Sequence, residues 1–415
     1  MTTKIRVENL NKIFGPSPEQ ACRQLEAGDS KDTVYRDTGS VIAVANVSFS
    51  VQQGQIFVVM GLSGSGKSTL IRCLNRLIEP TSGHIYIDEE DILAVDAKRL
   101  RELRRTKMAM VFQHFALFPH MTVGENVEYG LKVRGIGKAA RRQQALTALA
   151  QVGLREWADT PPHNLSGGMQ QRVGLARGLA ADPEILLMDE PFSALDPLIR
   201  RDMQQELLNL QHRLHKTIIF ITHDLHEALI LGDQIAIMKD GRFVQVGSPQ
   251  DIVGNPADPY VATFTQDVDR SRVFTLGTIM DKTTTLNLEQ DSINTARARL
   301  QQTQQEALYV TDAQGKPVGL LVAKDIDPTK PQDLTAAIRR QFPEASASTT
   351  LVDAYGLCAE GLPIAVVDDG GHLRGTVNPL QVFNELAAGT QAQMPAYADH
   401  EPTAADPLSE PTLQT

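Results

Sequence analysis

Cysteine is nearly missing from this chain: Cys22, Cys73 and Cys358 are the only three in 415 residues, far apart and odd in number. That spacing excludes a disulfide framework and a thiolate metal site, and it fits a reducing compartment. Long apolar runs are missing too. No stretch of 18 or more apolar residues occurs, so no segment reads as a membrane-spanning helix, and the N-terminal MTTKIRVENLNKIF lacks the apolar centre of a secretion signal. Any tie to a membrane must therefore run through another subunit. Positive charge is not in excess either. The net charge of -10 offers no general pull toward nucleic acid, so none is expected as a partner. What is present is ordinary for a globular protein: 42% hydrophobic and 22% charged residues, over a length that allows about two or three domains.

Residues 4–10 and 41–51 alternate apolar and polar like half-buried strands. Between them the polar stretch 16–40 carries Ser17-Pro18-Glu19-Gln20, an N-cap followed by proline at the first helical position, with Gly28 placed to end a short helix. The run 55–60 is continuously apolar, as a strand buried on both faces requires, and a helix with Leu70, Ile71, Leu74, Leu77 and Ile78 on one side follows. Further strand-like runs at 108–112, 185–188, 217–222 and 234–238, with helical stretches between several of them, predict an α/β fold with a largely parallel sheet. Residues from about 115 to 180 read as a mostly helical insert.

Gly61, Ser63, Gly64, Ser65, Gly66, Lys67 and Ser68, with Thr69 behind them, complete a G-x-x-x-x-G-K-[ST] loop after a buried strand and before a helix. Glycines let several backbone N–H groups converge on phosphate, and the helix adds its positive end. Lys67 can reach the β and γ phosphates, and the Ser68 hydroxyl can ligate Mg²⁺. The strand 185–188 ends in Asp189 and Glu190. Alone, two acids after an apolar run are an ordinary strand end. Beside a phosphate loop, Asp189 becomes the metal-side carboxylate, and Glu190 the group that polarises attacking water.

Leu165-Ser166-Gly167-Gly168-Met169-Gln170-Gln171-Arg172 offers a second anion-seeking helix start, with Ser166 as N-cap. It resembles the signature motif of ABC transporter ATPases. Residue by residue, Gln113 resembles the Q-loop glutamine that touches Mg²⁺, and Ser193-Ala-Leu-Asp196 resembles the D-loop. His223, after the strand 217–222, resembles the switch histidine, and Phe14 is the candidate aromatic for adenine. The resemblance spans residues 4 to about 265. It implies an ABC ATPase domain (1–265) with a mixed sheet core and a helical subdomain. It also implies ATP and Mg²⁺ as ligands, and a homodimer in which Ser166, Gly167, Gly168, Gln170 and Asp196 act on nucleotide held by the other copy.

Beyond residue 270, Val310, Asp312, Gly315 and Gly319 recur as Val366, Asp368, Gly371 and Gly375, each in a strand–turn–strand pattern with a helix expected after it. With the 16–40 insert, the run 75–80 and the run 193–200, this repeat resembles the ATPase subunit of glycine betaine/L-proline (quaternary amine) importers, which carries a tandem CBS domain, here 275–388. The implied partners are an integral-membrane permease and, through it, a substrate-binding protein. The implied place is the cytoplasmic face of the inner membrane, peripherally. CBS repeats that bind adenosine nucleotides usually carry Ser or Thr, then Asp, after the second-strand glycine. Here those places hold Val322 and Asp325, then Asn378 and Gln381. An importer for another small solute, or a soluble non-transport ABC ATPase, is the alternative. The tail 390–415, rich in Ala, Pro, Thr and Glu, is expected to be disordered.

Overall fold

A strand that buries both faces needs an apolar side chain at every position. In the computed structural model, which describes residues 2–112, 116–193, 195–326 and 333–391, the central strands of the N-terminal unit come close to that demand, with polar residues only at their ends. The N-terminal unit runs β1 (Thr3–Phe14), α1 (Pro18–Glu26), α2 (Lys31–Thr38), β2 (Val41–Gln52), β3 (Ile56–Met60), α3 (Lys67–Leu74), β4 (Ser82–Ile87), β5 (Glu90–Asp91), α4 (Ala97–Thr106), β6 (Met108–Val111), α5 (Val123–Val133), α6 (Lys138–Gln151), α7 (Gly167–Leu179), β7 (Ile185–Asp189), α8 (Pro197–Leu214), β8 (Thr217–Thr222), α9 (Leu225–Leu231), β9 (Gln234–Lys239) and β10 (Arg242–Gly247). Every residue of β3, β7 and β8 is buried.

These strands form a six-stranded sheet of order β10-β9-β3-β8-β7-β6, parallel except for β10. Alternate residues serve two cores. Val58, Met60, Ile218 and Phe220 face a cluster that also holds Val127 and Leu149 of the helical segment. Phe57, Val59, Ile219 and Ile221 face the antiparallel sheet β2-β1-β4-β5 through Ile5, Val7, Val44 and Ile85. A polar network fastens the same two layers. Lys4 bonds Asp88 (2.6 Å) and Glu184, and Lys107 bonds Asp88 (3.0 Å) and Glu184 (2.6 Å).

The structure departs from the sequence expectations locally. The 16–40 stretch holds two helices, not one, seated on β1 and β2 through Cys22, Leu25, Val34 and Ile13. Ser30 caps the second one, whereas Ser17 makes no side-chain cap bond to the first. Helix α3 stops at Leu74, Arg76 turns left-handed at φ 53°, and Leu77 is exposed instead of joining the buried stripe.

The chain divides into two compact units between Val268 and Asp269. The second holds two three-stranded sheets of one topology: β11 (Leu286–Asn287), β12 (Ala307–Thr311) and β13 (Pro317–Val322), then β14 (Glu344–Ser346), β15 (Ile364–Val367) and β16 (Leu373–Val377). In each sheet the first pair is parallel and the second antiparallel, and Val310 opposes Gly319 as Val366 opposes Gly375. Asp312 Oδ1 accepts from the backbone N–H of Gln314 and Lys316, and Asp368 Oδ1 from those of Gly370 and His372. The repeated aspartate therefore closes the same turn twice. The expected helix follows the second copy as Pro379–Gln391; after the first copy the described residues hold the short turns Ala323–Asp325 and Leu334–Ala337. Residues 392–415, most of the expected tail, lie outside the described residues. Among the described residues no helix is long and apolar enough to cross a membrane.

Candidate functional site

Parallel strands carry their connecting loops at their C-terminal ends, where open α/β sheets hold ligands. The neighbours β3, β8 and β7 end there in Gly61–Ser68, His223 and Asp189–Glu190. The loop 61–66 is pinned from behind. A Cβ on Gly61 would overlap the Met238 carbonyl, and one on Gly66 the Ala43 carbonyl; their φ angles of 156° and 107° also favour glycine. Gly241 N–H donates to the Ser65 carbonyl at 2.8 Å, fixing the loop to the β9–β10 turn. Its outer residues, Ser63 and Gly64, are exposed, whereas Ser68 and Thr69 are half-buried.

Lys67 is only 4% exposed and donates to the carbonyls of Gly61 (2.8 Å) and Leu62 (3.0 Å). Burial pushes its ammonium below the usual lysine range, and Glu190 and Asp189 pull it partly back. The Ser65 hydroxyl is buried with no hydrogen-bond partner among the described residues. A buried ammonium resting on its own loop and an orphan hydroxyl beside it form a donor set short of acceptors. Phosphate oxygens supply that need, so the residues fit a bound triphosphate.

Ser68 Oγ donates to Asp189 Oδ1 at 2.8 Å, while Arg72 Nη2 reaches Asp189 Oδ2 at 3.1 Å. A hydroxyl and a buried carboxylate side by side are hard oxygen donors suited to Mg²⁺. Arg72 escaped the sequence analysis; its signal was its place four residues after Ser68, on the same face of α3. Glu190 adopts φ 47°, a left-handed backbone uncommon for a side-chain-bearing residue. Its N–H is held by the Ile221 carbonyl at 3.0 Å. The carboxylate points to two partners: His223 Nδ1 at 3.0 Å and Lys67 Nζ at 3.9 Å.

At the start of α7, Ser166 Oγ accepts from Met169 N–H and Gln170 Nε2 donates to the Leu165 carbonyl. Gly167 is exposed, but Gly168 is buried, and a Cβ there would overlap the Ile199 side chain of α8. The second glycine therefore has a packing reason of its own: it leaves room for Ile199 where α7 meets α8. Asp196 caps α8 by accepting from Ile199 N–H. Phe14 ends β1 42% exposed, with the Lys12 ammonium 4.7 Å from its ring centre. It pairs with Val41, two residues before the Ala43 that backs Gly66. Gln113 lies outside the described residues.

A family model described as ABC transporter matches residues 44–193. The glycine betaine/carnitine transport ATP-binding protein GbuA of Listeria monocytogenes is 48% identical over 379 residues, covering 90% of this chain and 95% of the relative. The glycine betaine/proline betaine transport system ATP-binding protein ProV of Escherichia coli is 49% identical over 392 residues, covering 93% and 98%. Among solved structures, the dimeric post-hydrolysis state of the ATP-binding cassette MJ0796 bound to ADP and Pi is 33% identical, with a TM-score of 0.50, covering 59% of this chain and 98% of that one. With a phosphate loop, an acidic strand end and a histidine brought to one point, and relatives matched over nearly their full length, the chain belongs to the ABC transporter family as an ATP-binding, ATP-hydrolysing subunit.

Proposed function

We propose that this subunit drives an importer for a small quaternary-ammonium or related osmoprotectant, such as glycine betaine or proline, through a separate membrane permease. The observation that carries the ATPase chemistry is the meeting of Lys67, Ser68, Asp189, Glu190 and His223 at the ends of three adjacent strands. Lys67 and the loop N–H groups grip the β and γ phosphates, and Phe14 stacks on adenine. Ser68, Asp189 and Gln113 would hold Mg²⁺, which would supply positive charge to neutralise the phosphates. Glu190 takes the proton of attacking water, and His223 orients Glu190 and faces the γ-phosphate. Ser166, Gly167, Gly168, Gln170 and Asp196 act on the nucleotide of a second copy, so ATP is the joint of a homodimer.

The permease side rests on a groove of about 380 Å³. Leu77, Met110, Phe112, Tyr129 and Val133 give it an apolar floor, and Arg104, Arg105, Arg134 and Arg177 line it as well. Leu77 and Val133 are more than 45% exposed there, an apolar surface suited to a partner element. The subunit then sits peripherally on the cytoplasmic face of the membrane. A substrate-binding protein acts only through the permease. The C-terminal unit is a CBS pair, but the second pattern position of each repeat is engaged within the chain: Arg339 donates to Asp325 at 2.6 Å and Gln381 donates to Asp281 at 2.7 Å. Contact between copies or sensing of ionic strength suits it better than adenosine binding.

Glu190→Gln should cut ATPase turnover by about 10²–10⁴-fold and trap a dimer with Mg-ATP. A variant that binds nucleotide yet stays monomeric in light scattering refutes the shared site. Co-purification of the permease from detergent extract, followed by uptake of labelled glycine betaine in vesicles, tests the solute. Uptake of a different solute alone would support an importer of another class.

A further inference from the structure

Glu227 lies in α9, 4% exposed, and has no part in the phosphate site. A buried carboxylate is costly unless its oxygens are bonded. Here both are. Thr222 Oγ1 donates to Oε2 at 2.6 Å and Gln204 Nε2 to Oε1 at 3.2 Å, with Arg200 Nε 3.9 Å from Oε1. These partners belong to two different segments. Thr222 precedes His223, and its hydroxyl also accepts from Asp224 N–H at 3.0 Å, so both chain neighbours of His223 are tied to Glu227. Arg200 and Gln204 lie on α8. Arg200 reaches back to the Leu195 carbonyl at 3.2 Å, within the 193–196 turn, and across to Asp224 Oδ2 at 3.4 Å.

The His223 side chain is 55% exposed, and its bond to Glu190 does not by itself fix the loop that carries it. Its direction must come from the backbone of 222–224, which is what Glu227 and Arg200 grip. We infer that Glu227, acting with Arg200, is a positioning residue that locks the 193–196 turn to the loop carrying His223. Docking of a second copy against that turn then sets the His223–Glu190 geometry for hydrolysis. The inference rests on the roles proposed above for the turn and for His223.

The test uses the full chain with Mg-ATP. Glu227→Ala should lower kcat by about ten- to a hundredfold, the loss expected of a displaced catalytic group. KM for ATP should stay within about threefold, because the ground-state phosphate contacts are untouched. Glu227→Gln keeps an acceptor for Thr222 but loses the charge facing Arg200 and turns an amide donor toward Gln204, whose own amide must flip to accept it; it should lose less than the alanine variant and fall about three- to tenfold short of wild type. It also folds without a buried charge to satisfy, so it decides the matter if the alanine variant misfolds: wild-type kcat there overturns the relay. Arg200→Ala combined with Glu227→Ala should lose no more than the worse single change. Additive losses, or kcat and ATP affinity falling together with Tm, overturn it as well. His223→Ala is measured alongside. Normal turnover in His223→Ala removes the site assignment itself; an inactive His223→Ala beside a normal Glu227→Ala removes the relay alone.

Discussion

Replacing Lys67 by methionine separates the cost of holding the site ready from the gain on binding nucleotide. The ammonium donates to Gly61 and Leu62 carbonyls at 2.8 and 3.0 Å from a position 4% exposed. Losing a bond from a charged donor costs about 1.5–3 kcal/mol. Against that, methionine fills nearly the same volume and removes a buried charge whose burial already disfavours it. The two effects oppose each other at similar size. The nucleotide-free variant should therefore unfold within about 2 kcal/mol of wild type, roughly 5 °C for a unit of this length. Nucleotide changes the balance. At about 100 times Kd, Mg-ATP stabilises wild type by about 2.7 kcal/mol, a rise of roughly 5–10 °C. One lost charged bond to phosphate lowers affinity by about ten- to a hundredfold, so at the same ATP concentration the shift shrinks to roughly 1–5 °C. Scanning calorimetry with and without Mg-ATP, followed on the ATP-responsive transition, gives both numbers. A variant that keeps the whole ATP shift, or one that unfolds without nucleotide by more than about 5 kcal/mol, refutes this account.

Phe14→Ala should leave stability within about 1 kcal/mol, since the residue sits at the end of its strand and is 42% exposed. It should weaken ATP binding by about five- to a hundredfold, the worth of one base-stacking contact; an unchanged Kd in a fluorescent-nucleotide titration places adenine elsewhere. Arg72→Ala frees the second oxygen of Asp189, so half-maximal ATPase should need several-fold more Mg²⁺ while metal-free ATP binding holds. Identical Mg²⁺ titrations and Mn²⁺ resonance spectra would deny Arg72 that role. Acid should loosen the junction of the two sheets. Burial raises the carboxyls of Asp88 and Glu184, but Lys4 and Lys107 outweigh it and hold both below their ordinary values of 3.8 and 4.5. A depressed folded pKa gives stability that is present above the unfolded value and lost as pH falls through the folded one. Tm should thus decline as pH drops from about 4.5, by a modest amount because both carboxylates are over a third exposed. Lys4→Met should flatten that decline, and an unchanged Tm–pH curve would exclude the network.

Local chemistry made much of this protein readable from the sequence. A glycine loop between buried strand and helix, two acids ending an apolar run and a serine-headed helix each carry their function within about eight residues, so no partner from far along the chain is needed to recognise them. The repeated Val, Asp and Gly positions likewise mark two copies of one turn, because each aspartate bonds its own loop. Tertiary structure alone decided the rest. Arg72, Arg200 and Glu227 are unremarkable by type, and only packing sets them against Asp189, Leu195 and Thr222. Leu77 fits the apolar stripe by spacing, yet the left-handed turn at Arg76 takes it to the surface. Gly168 stands in the serine-headed motif by sequence, and only the structure shows that it also leaves room for Ile199 of another helix. Spacing along the chain fixes which face a residue shares with its neighbours; which distant side chain meets it there depends on how separately formed elements close-pack.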